Sequence, residues 1–249
     1  MPFTAAHPAF VLPFLHRSKR WFSSTALIIG SMAPDSEYFL RLQKRSEISH
    51  SSIGILEFDL PLTLLLALLY HGLVRDQLIQ HLPPYFRRRA LAVTYQANYF
   101  TYLRRHWLAF LVSAIIGGFS HLLWDSFTFD RGFIVEHVPL LEHVVSVAGM
   151  KMQLCRLIQH LSSVVGILLI LLYVHRQPTT TLADAPHPWL AFWLIISLGG
   201  LLFMFYHIMM LHHVELATLV IAILSGCLLA MLFASLFYTL KQSILHQKE

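Results

Sequence analysis

The stretch GGFSHLLWDSFT, from Gly117 to Thr128, ends an apolar run that begins at Trp107. About 20 apolar residues are enough for a helix to cross a bilayer, so this run predicts a membrane-spanning helix. Inside it, His121 and Asp125 stand four residues apart, a spacing that places both side chains on one helix face. A carboxylate within an apolar span is costly, and it usually faces a bundle interior, a partner or a metal.

Two interpretations of this pair remain open from the spacing alone. Imidazole and carboxylate are common ligands of divalent metals, and at this spacing they form half of a metal site. Alternatively, His121 and Asp125 bond only each other and hold two helices together. Another helix can approach this face closely, because the run also carries the small residues Ser113, Ala114, Gly117 and Gly118.

The composition is that of an integral membrane protein. Of the 249 residues, 56% are hydrophobic and only 12% are charged, against about 25% charged in soluble domains. The first residues lack the basic start and apolar core of a signal peptide, so internal helices are expected to enter the membrane. The net charge of +5 suits cytoplasmic loops, and no nucleic-acid motif is present. Cys155 and Cys227 form neither a disulfide framework nor a CxxC metal pair.

The hydropathy pattern predicts an all-α bundle of about five membrane spans: Leu56–Val74, Trp107–Phe127, Leu157–Val174, Trp189–Leu211 and Val214–Leu240. Short helices in residues 1–54 are expected to lie at the interface or against the bundle, with a break at Pro34. Pro61 suits the first turn of the first span. We expect residues 1–176 to form a core that carries the site, and residues 177–249 to form a structural C-terminal hairpin.

The segment 75–106 between the first two spans is strongly basic. Its run Arg87–Arg89 indicates either an interfacial segment that contacts anionic lipid headgroups or a solvated loop. Because positive charge concentrates in short cytoplasmic loops, we expect this segment to be cytoplasmic. His50, Asp125 and His160 then lie near the outer face. Their sharing one face follows from the number of spans and does not depend on the orientation.

Further histidines and carboxylates widen the candidate site. His7, Asp35, His50 and His160 join the His121/Asp125 pair, although each has a simpler interpretation as a terminal residue, a helix cap, a surface turn or a core hydrogen bond. The loop 128–156 holds reserve ligands or acid–base groups, Glu136, His137, Glu142 and His143. His207, His212 and His213 are expected to be interfacial. The chain has no GxSxG, HExxH or glycine-rich phosphate motif.

Several motifs resemble those of an uncharacterised bacterial family of small multi-pass membrane proteins. They are MPFT with His7-Pro8, GSMAPDSEYF from Gly30, His50, FDLP from Phe58, HLLWDSFT from His121, and Gln159-His160. The resemblance covers roughly residues 1–175. It implies a protein of the bacterial inner membrane with lipid as a partner, but it implies no activity.

A more distant resemblance suggests a chemistry. The order His, Pro-Asp, His and HxxxD is similar to that of the membrane-bound metal-dependent hydrolases and of zinc phospholipase C. It implies that His7, Asp35, His50, His121 and Asp125 bind a divalent metal, with zinc the first choice. Two departures favour one or two ions over three: Val164 stands where an HxxxE pair would end, and Phe129-Asp130 stand where His is expected.

By this resemblance, the chain is expected to hydrolyse a lipid or another amphiphilic phosphoester. Asp35, Glu37 and His160 are the candidate catalytic side chains, with Asp35 preferred as a ligand and Glu37 as its support. A different class of function also remains open. In a small transporter or an assembly scaffold, the buried His/Asp pairs would carry protons or hold helices together. A degenerate hydrolase that binds lipid without turnover is a third reading.

Overall fold

The computed structural model describes residues 3–15, 21–93, 98–147, 149–181, 189–210 and 215–246. Five helices in these ranges are long and apolar enough to cross a membrane: Ile55–Gln80, Trp107–Thr128, Leu154–His175, Trp189–Met210 and Leu216–Leu245. They confirm the predicted all-α class and its five spans. The predicted boundaries differ from these by up to six residues, because a helix can continue past the edge of the hydrocarbon layer.

Short helices precede the first span, as predicted. They are a 3₁₀ turn at Thr4–Ala6, α1 at Pro8–Leu15, α2 at Ser24–Gly30, a 3₁₀ turn at Ala33–Asp35 and α3 at Ser36–Arg41. The Ser23 side chain caps α2 by accepting a hydrogen bond from the amide of Ala26. The predicted break at Pro34 falls in the second 3₁₀ turn, which separates α2 from α3 along the chain.

The first span is one long helix with two wide turns. It comprises a π turn at Ile55–Asp59, α4 at Leu60–Leu69, a second π turn at Tyr70–Val74 and α5 at Arg75–Gln80. Pro61 is the second residue of α4 and lies in its first turn, as expected from the sequence. The first π turn precedes it, and there the Leu60 amide donates a hydrogen bond to the Ile55 carbonyl.

The remaining elements are mostly helical, including parts of the basic segment 75–106. The helices are α6 at Pro84–Val93, α7 at Tyr99–Arg105, α8 at Trp107–Thr128, α9 at Phe133–His137, α10 at Leu154–His175, α11 at Trp189–Met210 and α12 at Leu216–His246. The segment predicted as a plain loop between α8 and α10 also contains a 3₁₀ turn at Pro139–Glu142 and an antiparallel hairpin. Its strands are β1, Val144–Val147, and β2, Met150–Gln153.

The chain divides into two compact units. The first comprises Met1–Asp35, Glu47–Leu65 and Phe100–Arg176, and the second comprises Ser36–Ser46, Leu66–Tyr99 and Gln177–Glu249. The predicted boundary at residue 176 coincides with one of these limits. The division into a site-bearing core and a C-terminal hairpin stays a prediction. All five predicted metal ligands belong to the first unit.

In the first unit, α2 packs closely on α8 through small residues. A Cβ atom added to Gly117 would lie 2.7 Å from the Ser31 amide nitrogen and 2.8 Å from the Leu27 carbonyl oxygen. The Ser113 hydroxyl oxygen accepts a hydrogen bond of 2.8 Å from the Ser23 amide. The small residues predicted for close approach therefore do let two backbones touch, and this contact carries the end of α2 to the level of His121.

In the second unit, α11 and α12 pack around Phe192, Ile196 and Ala234. His81 is buried there, with its ring stacked on Phe192 at a centroid distance of 4.6 Å. The carbonyl of His81 accepts a hydrogen bond from the Trp193 indole. These contacts are those of a structural core.

Candidate metal centre

Four separate chain segments bring the five predicted ligands together. His7 follows the first 3₁₀ turn, Asp35 ends the second, His50 precedes the first span, and His121 and Asp125 lie one turn apart on α8. The side chains of His7, Asp35 and His121 are almost fully buried. Those of His50 and Asp125 are 19% and 10% exposed, so the cluster opens towards its surroundings on their side.

Four donor atoms form a ring in which nitrogen and oxygen alternate. The Oδ1 atom of Asp35 lies 3.6 Å from His121 Nε2 and 3.5 Å from His50 Nε2. The Oδ2 atom of Asp125 lies 3.5 Å from His121 Nε2 and 3.7 Å from His50 Nε2. These separations exceed the usual 2.7–3.2 Å of a hydrogen bond. They are close to the roughly 3.4 Å that separates neighbouring ligands of a tetrahedral ion with bonds of about 2.1 Å.

His7 stands beside this ring as a fifth donor. Its imidazole is stacked on that of His121, with centroids 3.8 Å apart and planes 14° from parallel. Its Nε2 atom lies 3.9 Å from Asp125 Oδ1. The five residues thus form two overlapping groups whose donor atoms lie within 4.8 Å of one another: His7, Asp35 and His121, and then His50, His121 and Asp125. Buried His and Asp side chains in this arrangement could hold a metal.

Several donor atoms of the cluster have no hydrogen-bond partner among the described residues. They are both ring nitrogens of His7, Asp35 Oδ1, His121 Nε2 and Asp125 Oδ1. A buried polar atom left without a partner costs about 1–3 kcal/mol, so native proteins leave few of them. Here they are concentrated at one point and belong to residue types that can bind metals, so the cluster could hold an ion.

Backbone and hydroxyl contacts set the orientation of the ligands. The Nδ1 atom of His121 lies 2.8 Å from the Ser31 carbonyl oxygen. A carbonyl can only accept, so Nδ1 carries a hydrogen, and in the neutral imidazole the lone pair is on Nε2, the nitrogen that faces the cluster. The end of α2, which Gly117 allows to approach α8, therefore determines which nitrogen of His121 is available to a metal.

His50 is oriented by a two-step relay. The Ser49 hydroxyl donates to the Pro34 carbonyl oxygen at 2.7 Å, and its oxygen lies 3.0 Å from His50 Nδ1. Because the hydroxyl hydrogen is engaged by Pro34, Nδ1 must donate to Ser49. In the neutral imidazole, the lone pair of His50 is then on Nε2, the atom that is one of the four alternating donor atoms of the cluster.

Asp35 is held by Thr4. The Thr4 hydroxyl donates a hydrogen bond to Asp35 Oδ2, which leaves Oδ1 facing the histidines. Thr4, Ser31 and Ser49 were not assigned roles by the sequence analysis, although all three stand within four residues of a predicted ligand. In the sequence, these three residues could be noticed only as hydroxyl-bearing residues close to predicted ligands. Closeness in sequence does not show which atoms they contact.

His7 and Asp35, which lie outside the spans, have ionisation states that suit metal binding. Burial, and next the neighbouring His121, lower the pKa of His7 from 6.5 to about 3, so its imidazole is neutral near pH 7. Burial by itself raises the pKa of Asp35. His121, His50, His7 and the Thr4 hydroxyl outweigh burial, and that pKa falls from 3.8 to about 2. Neutral imidazole and ionised carboxylate are the ligand forms that bind divalent metals.

The structure does not place the other candidate side chains among these donors. The Glu37 carboxylate lies in the second unit, where it accepts hydrogen bonds from Arg41 at 2.7 Å and from Ser46 at 2.8 Å. His160 is exposed on α10, as are Glu136, His137, Glu142 and His143 in the connecting segment. His207 is buried in α11, and His212 and His213 lie outside the described residues.

Serines near His160 accept hydrogen bonds from the N-terminal segment and from α8. Ser163 Oγ accepts a hydrogen bond of 3.0 Å from the Phe3 amide, and Ser162 Oγ accepts one of 3.2 Å from the Trp124 indole. Trp124 also packs beside His7, with ring centroids 5.4 Å apart. The start of α10 therefore fixes the N-terminal segment that carries Thr4 and His7.

The cluster lies near the end of a membrane span. Asp125 precedes the last residue of α8, Thr128, by three positions, or about 5 Å along the axis. The last turn of a 22-residue helix that crosses a hydrocarbon layer about 30 Å thick lies near the edge of that layer.

Comparison with known proteins identifies the family. No curated protein and no solved structure matches the chain. A family described as a domain of unknown function, DUF4184, matches residues 1–236. The match extends beyond the roughly 175 residues over which the motifs are recognisable, and it includes most of the C-terminal pair of spans. This chain is therefore a multi-pass membrane protein that belongs to the DUF4184 family.

Proposed function

We propose that this protein is a membrane-embedded, metal-dependent hydrolase that acts on a lipid or another amphiphilic phosphoester, with zinc as the preferred ion. The observation that carries the proposal is the ring of His50, His121, Asp35 and Asp125 donor atoms, with His7 beside it. The ring separations of 3.5–3.7 Å, and the 3.9 Å from His7 Nε2 to Asp125 Oδ1, are longer than a typical hydrogen bond and suit ligands that share an ion.

The charges of the cluster support a divalent cation. Two carboxylates lie among three histidines, and the ion-pair partners of Asp35 and Asp125 in the described residues are all histidines. Uncompensated buried charge is strongly unfavourable. A dication would balance both carboxylates and would complete the donor atoms that have no hydrogen-bond partner. Imidazole with carboxylate is a donor set that zinc accepts well.

Each side chain has a defined part in this proposal. His7, Asp35, His50, His121 and Asp125 would hold the ion, while Thr4, Ser31 and Ser49 keep the donor atoms aimed at it. A zinc ion supplies a bound water with a pKa near 7 and polarises a phosphoryl oxygen. His7, Asp35 and His121 are shielded, so a substrate would approach from the side of His50 and Asp125.

The depth of the site supports the substrate class. A cluster about 5 Å from the end of a span meets the headgroup level of the bilayer. A phosphoester with acyl or isoprenoid-like tails could present its polar group there without leaving the membrane. The orientation expected from the arginines of segment 75–106 would place this level at the outer face.

The scaffold and transporter readings fit the distances less well. If the histidines and carboxylates only held helices together, direct hydrogen bonds of about 2.7–3.0 Å would be expected between them. Shorter hydrogen bonds join these side chains to neighbouring polar groups: His121 to Ser31 at 2.8 Å, His50 to Ser49 at 3.0 Å, and Thr4 as the donor to Asp35. That pattern is typical of groups that orient metal ligands.

The test is the metal content of the purified protein, prepared without chelators, together with hydrolysis of a fluorescent phospholipid in mixed micelles. Purified wild-type protein should contain one or two zinc ions per chain and should release the headgroup product from the phospholipid. His121→Ala should lose both metal and activity. His175→Ala, which alters an exposed histidine at the end of α10, is the matched control. A wild type that binds no added metal would overturn the proposal.

A further inference from the structure

The hairpin between α8 and α10 is amphipathic. Its strands pair in the register Val144–Gln153, Val145–Met152, Ser146–Lys151 and Val147–Met150. Directly paired residues of an antiparallel hairpin share a face, and successive residues alternate between faces. One face therefore carries four apolar side chains, Val145, Val147, Met150 and Met152. The other carries Ser146, Lys151 and Gln153, with Val144 at the start of the strand.

The apolar face is only partly covered. Met150 is 62% exposed and Val147 is 39% exposed, while Val145 and Met152 are half-buried. The same connecting segment exposes Phe133 and Leu140. An isolated two-stranded hairpin is marginally stable at best in water. A hairpin that presents Val and Met side chains outward therefore needs an apolar surrounding.

The position of the hairpin identifies that surrounding as lipid. Gln153, the last residue of β2, is followed directly by the first residue of α10, a membrane span in which only Cys155 and Gly166 are buried, so that much of its surface is free to face lipid. Four strand residues extend about 13 Å, so no part of β2 can lie far from the bilayer. The hairpin also packs against α10, which keeps it beside the span.

We propose that this hairpin lies in the headgroup–acyl boundary of the bilayer, with the face of Val145, Val147, Met150 and Met152 in lipid. Its opposite face turns to water, where Ser146 and Gln153 are hydrated. The Lys151 ammonium on that face can reach lipid phosphates along its flexible stem. The hairpin is thus an interfacial lipid-binding element formed by the connection between two spans.

If the protein is the hydrolase proposed above, the position of the hairpin also indicates where its substrate comes from. The connecting segment begins where α8 ends, and Asp125 lies three residues before that end. The hairpin and the cluster therefore belong to the same membrane face. A hairpin embedded there would hold the opening of the site at headgroup level, which favours a substrate drawn from that leaflet over one that arrives dissolved in water.

The test uses nitroxide labels on single added cysteines in the full-length protein reconstituted into phosphatidylcholine and phosphatidylglycerol vesicles. Val147→Cys and Met150→Cys report the apolar face, and Ser146→Cys and Lys151→Cys are matched controls on the other face. Labelled wild type gives the background from Cys155, which is buried, and from Cys227. Accessibility to oxygen, which concentrates in lipid, is compared with accessibility to a water-soluble nickel chelate.

The expected result is an alternation along each strand. The oxygen-to-nickel ratio should be several-fold higher at 147 and 150 than at 146 and 151. Equal ratios with high nickel accessibility at all four positions would show a hairpin in water and overturn the proposal. Low accessibility of 147 and 150 to both reagents would show that protein, such as a second copy of the chain, covers the face, and this would overturn it too. Neither reading depends on metal or hydrolysis, so failure of the hydrolase proposal remains distinguishable.

Discussion

The Nε2 atom of His121 lies 3.5 Å from the Oδ2 atom of Asp125, one helical turn further along α8. The two side chains face each other, yet they are too far apart for a good hydrogen bond. The same Nε2 atom lies 3.6 Å from Asp35 Oδ1, so it stands between two carboxylates. Its other ring nitrogen is engaged by the Ser31 carbonyl. This geometry makes His121 the central donor of the cluster. Substitution of Asp125 best distinguishes a metal ligand from a residue that only hydrogen-bonds two helices together.

Asp125→Asn removes a charge and keeps the size of the side chain. If Asp125 is a metal ligand, metal content should fall strongly and hydrolysis should be lost. The metal-free variant should fold as well as metal-free wild type or better, because neutralising a buried carboxylate removes a desolvation cost. Metal analysis and thermal unfolding, each with and without a chelator, measure these effects.

Asp130→Asn is the matched control, because Asp130 is five residues away and forms an exposed ion pair with Arg156. It should keep its metal. If Asp125→Asn instead keeps the wild-type metal content and loses only about 1 kcal/mol of stability, Asp125 is an interhelical hydrogen-bonding residue and the hydrolase proposal fails.

Thr4→Val replaces the hydroxyl that donates to Asp35 Oδ2 with a methyl group of similar size. Groups that orient metal ligands typically contribute about 10–100-fold to metal affinity. We therefore expect metal affinity to fall within that range while the span structure is retained. Competition with a chelator of known zinc affinity gives the measurement. Thr4→Ser keeps the hydroxyl and should stay close to wild type. A loss in Thr4→Ser with none in Thr4→Val would show that packing of the methyl group matters and the hydroxyl does not.

Gly117→Ala should disturb the contact of α2 with α8. The new Cβ would meet backbone atoms of Ser31, Gly30 and Leu27 at 2.7–2.8 Å, and backbone cannot move aside as a side chain can. We expect a loss of about 1–3 kcal/mol in stability and weaker metal binding, because the Ser31 carbonyl moves with α2.

Gly118→Ala is the adjacent control. The atoms nearest to its Cβ would be those of the Ile55 side chain, at 3.2 Å and beyond, and alanine adds about 1 kcal/mol of helix propensity over glycine. Chelator-dependent thermal unfolding should show it near wild type. Similar losses at both positions would mean that the close approach of Gly117 to α2 has no special importance.

Reporter fusions should give opposite results at Arg89 and at Ser146. Trp107–Thr128 lies between these residues and is long enough to cross the bilayer once. The arginine-rich segment 75–106 is expected in the cytoplasm. A fluorescent reporter at Arg89 and an enzyme active only outside the cytoplasm at Ser146 should both be active. Exchanged activities would reverse the orientation, whereas the same side for both would remove α8 as a span.

Much of the architecture follows from local sequence. Apolar runs of about 20 residues specify spans wherever they occur, because lipid requires every backbone polar group to bond within its own segment. That rule applies at Trp107 and Trp189 without reference to the rest of the fold. The four-residue spacing of His121 and Asp125 likewise specifies a shared helix face. The residue types of the candidate site and the five spans could therefore be predicted from the sequence.

Other features required the tertiary structure. His7 and Asp125 are 118 positions apart, and no local pattern states that their atoms meet; α2 packing on Gly117 and α10 bonding Phe3 bring them together. The roles of Thr4, Ser31 and Ser49 depend on which atom each one reaches, and hydrogen bonding is decided over tenths of an ångström. The register of the hairpin, which sorts Val147 from Ser146, is likewise set by pairing between strands. The sequence alone specified the candidate residues and the membrane helices, because these depend on local chemistry. Only the fold brings the candidate residues together, because their contacts depend on long-range packing.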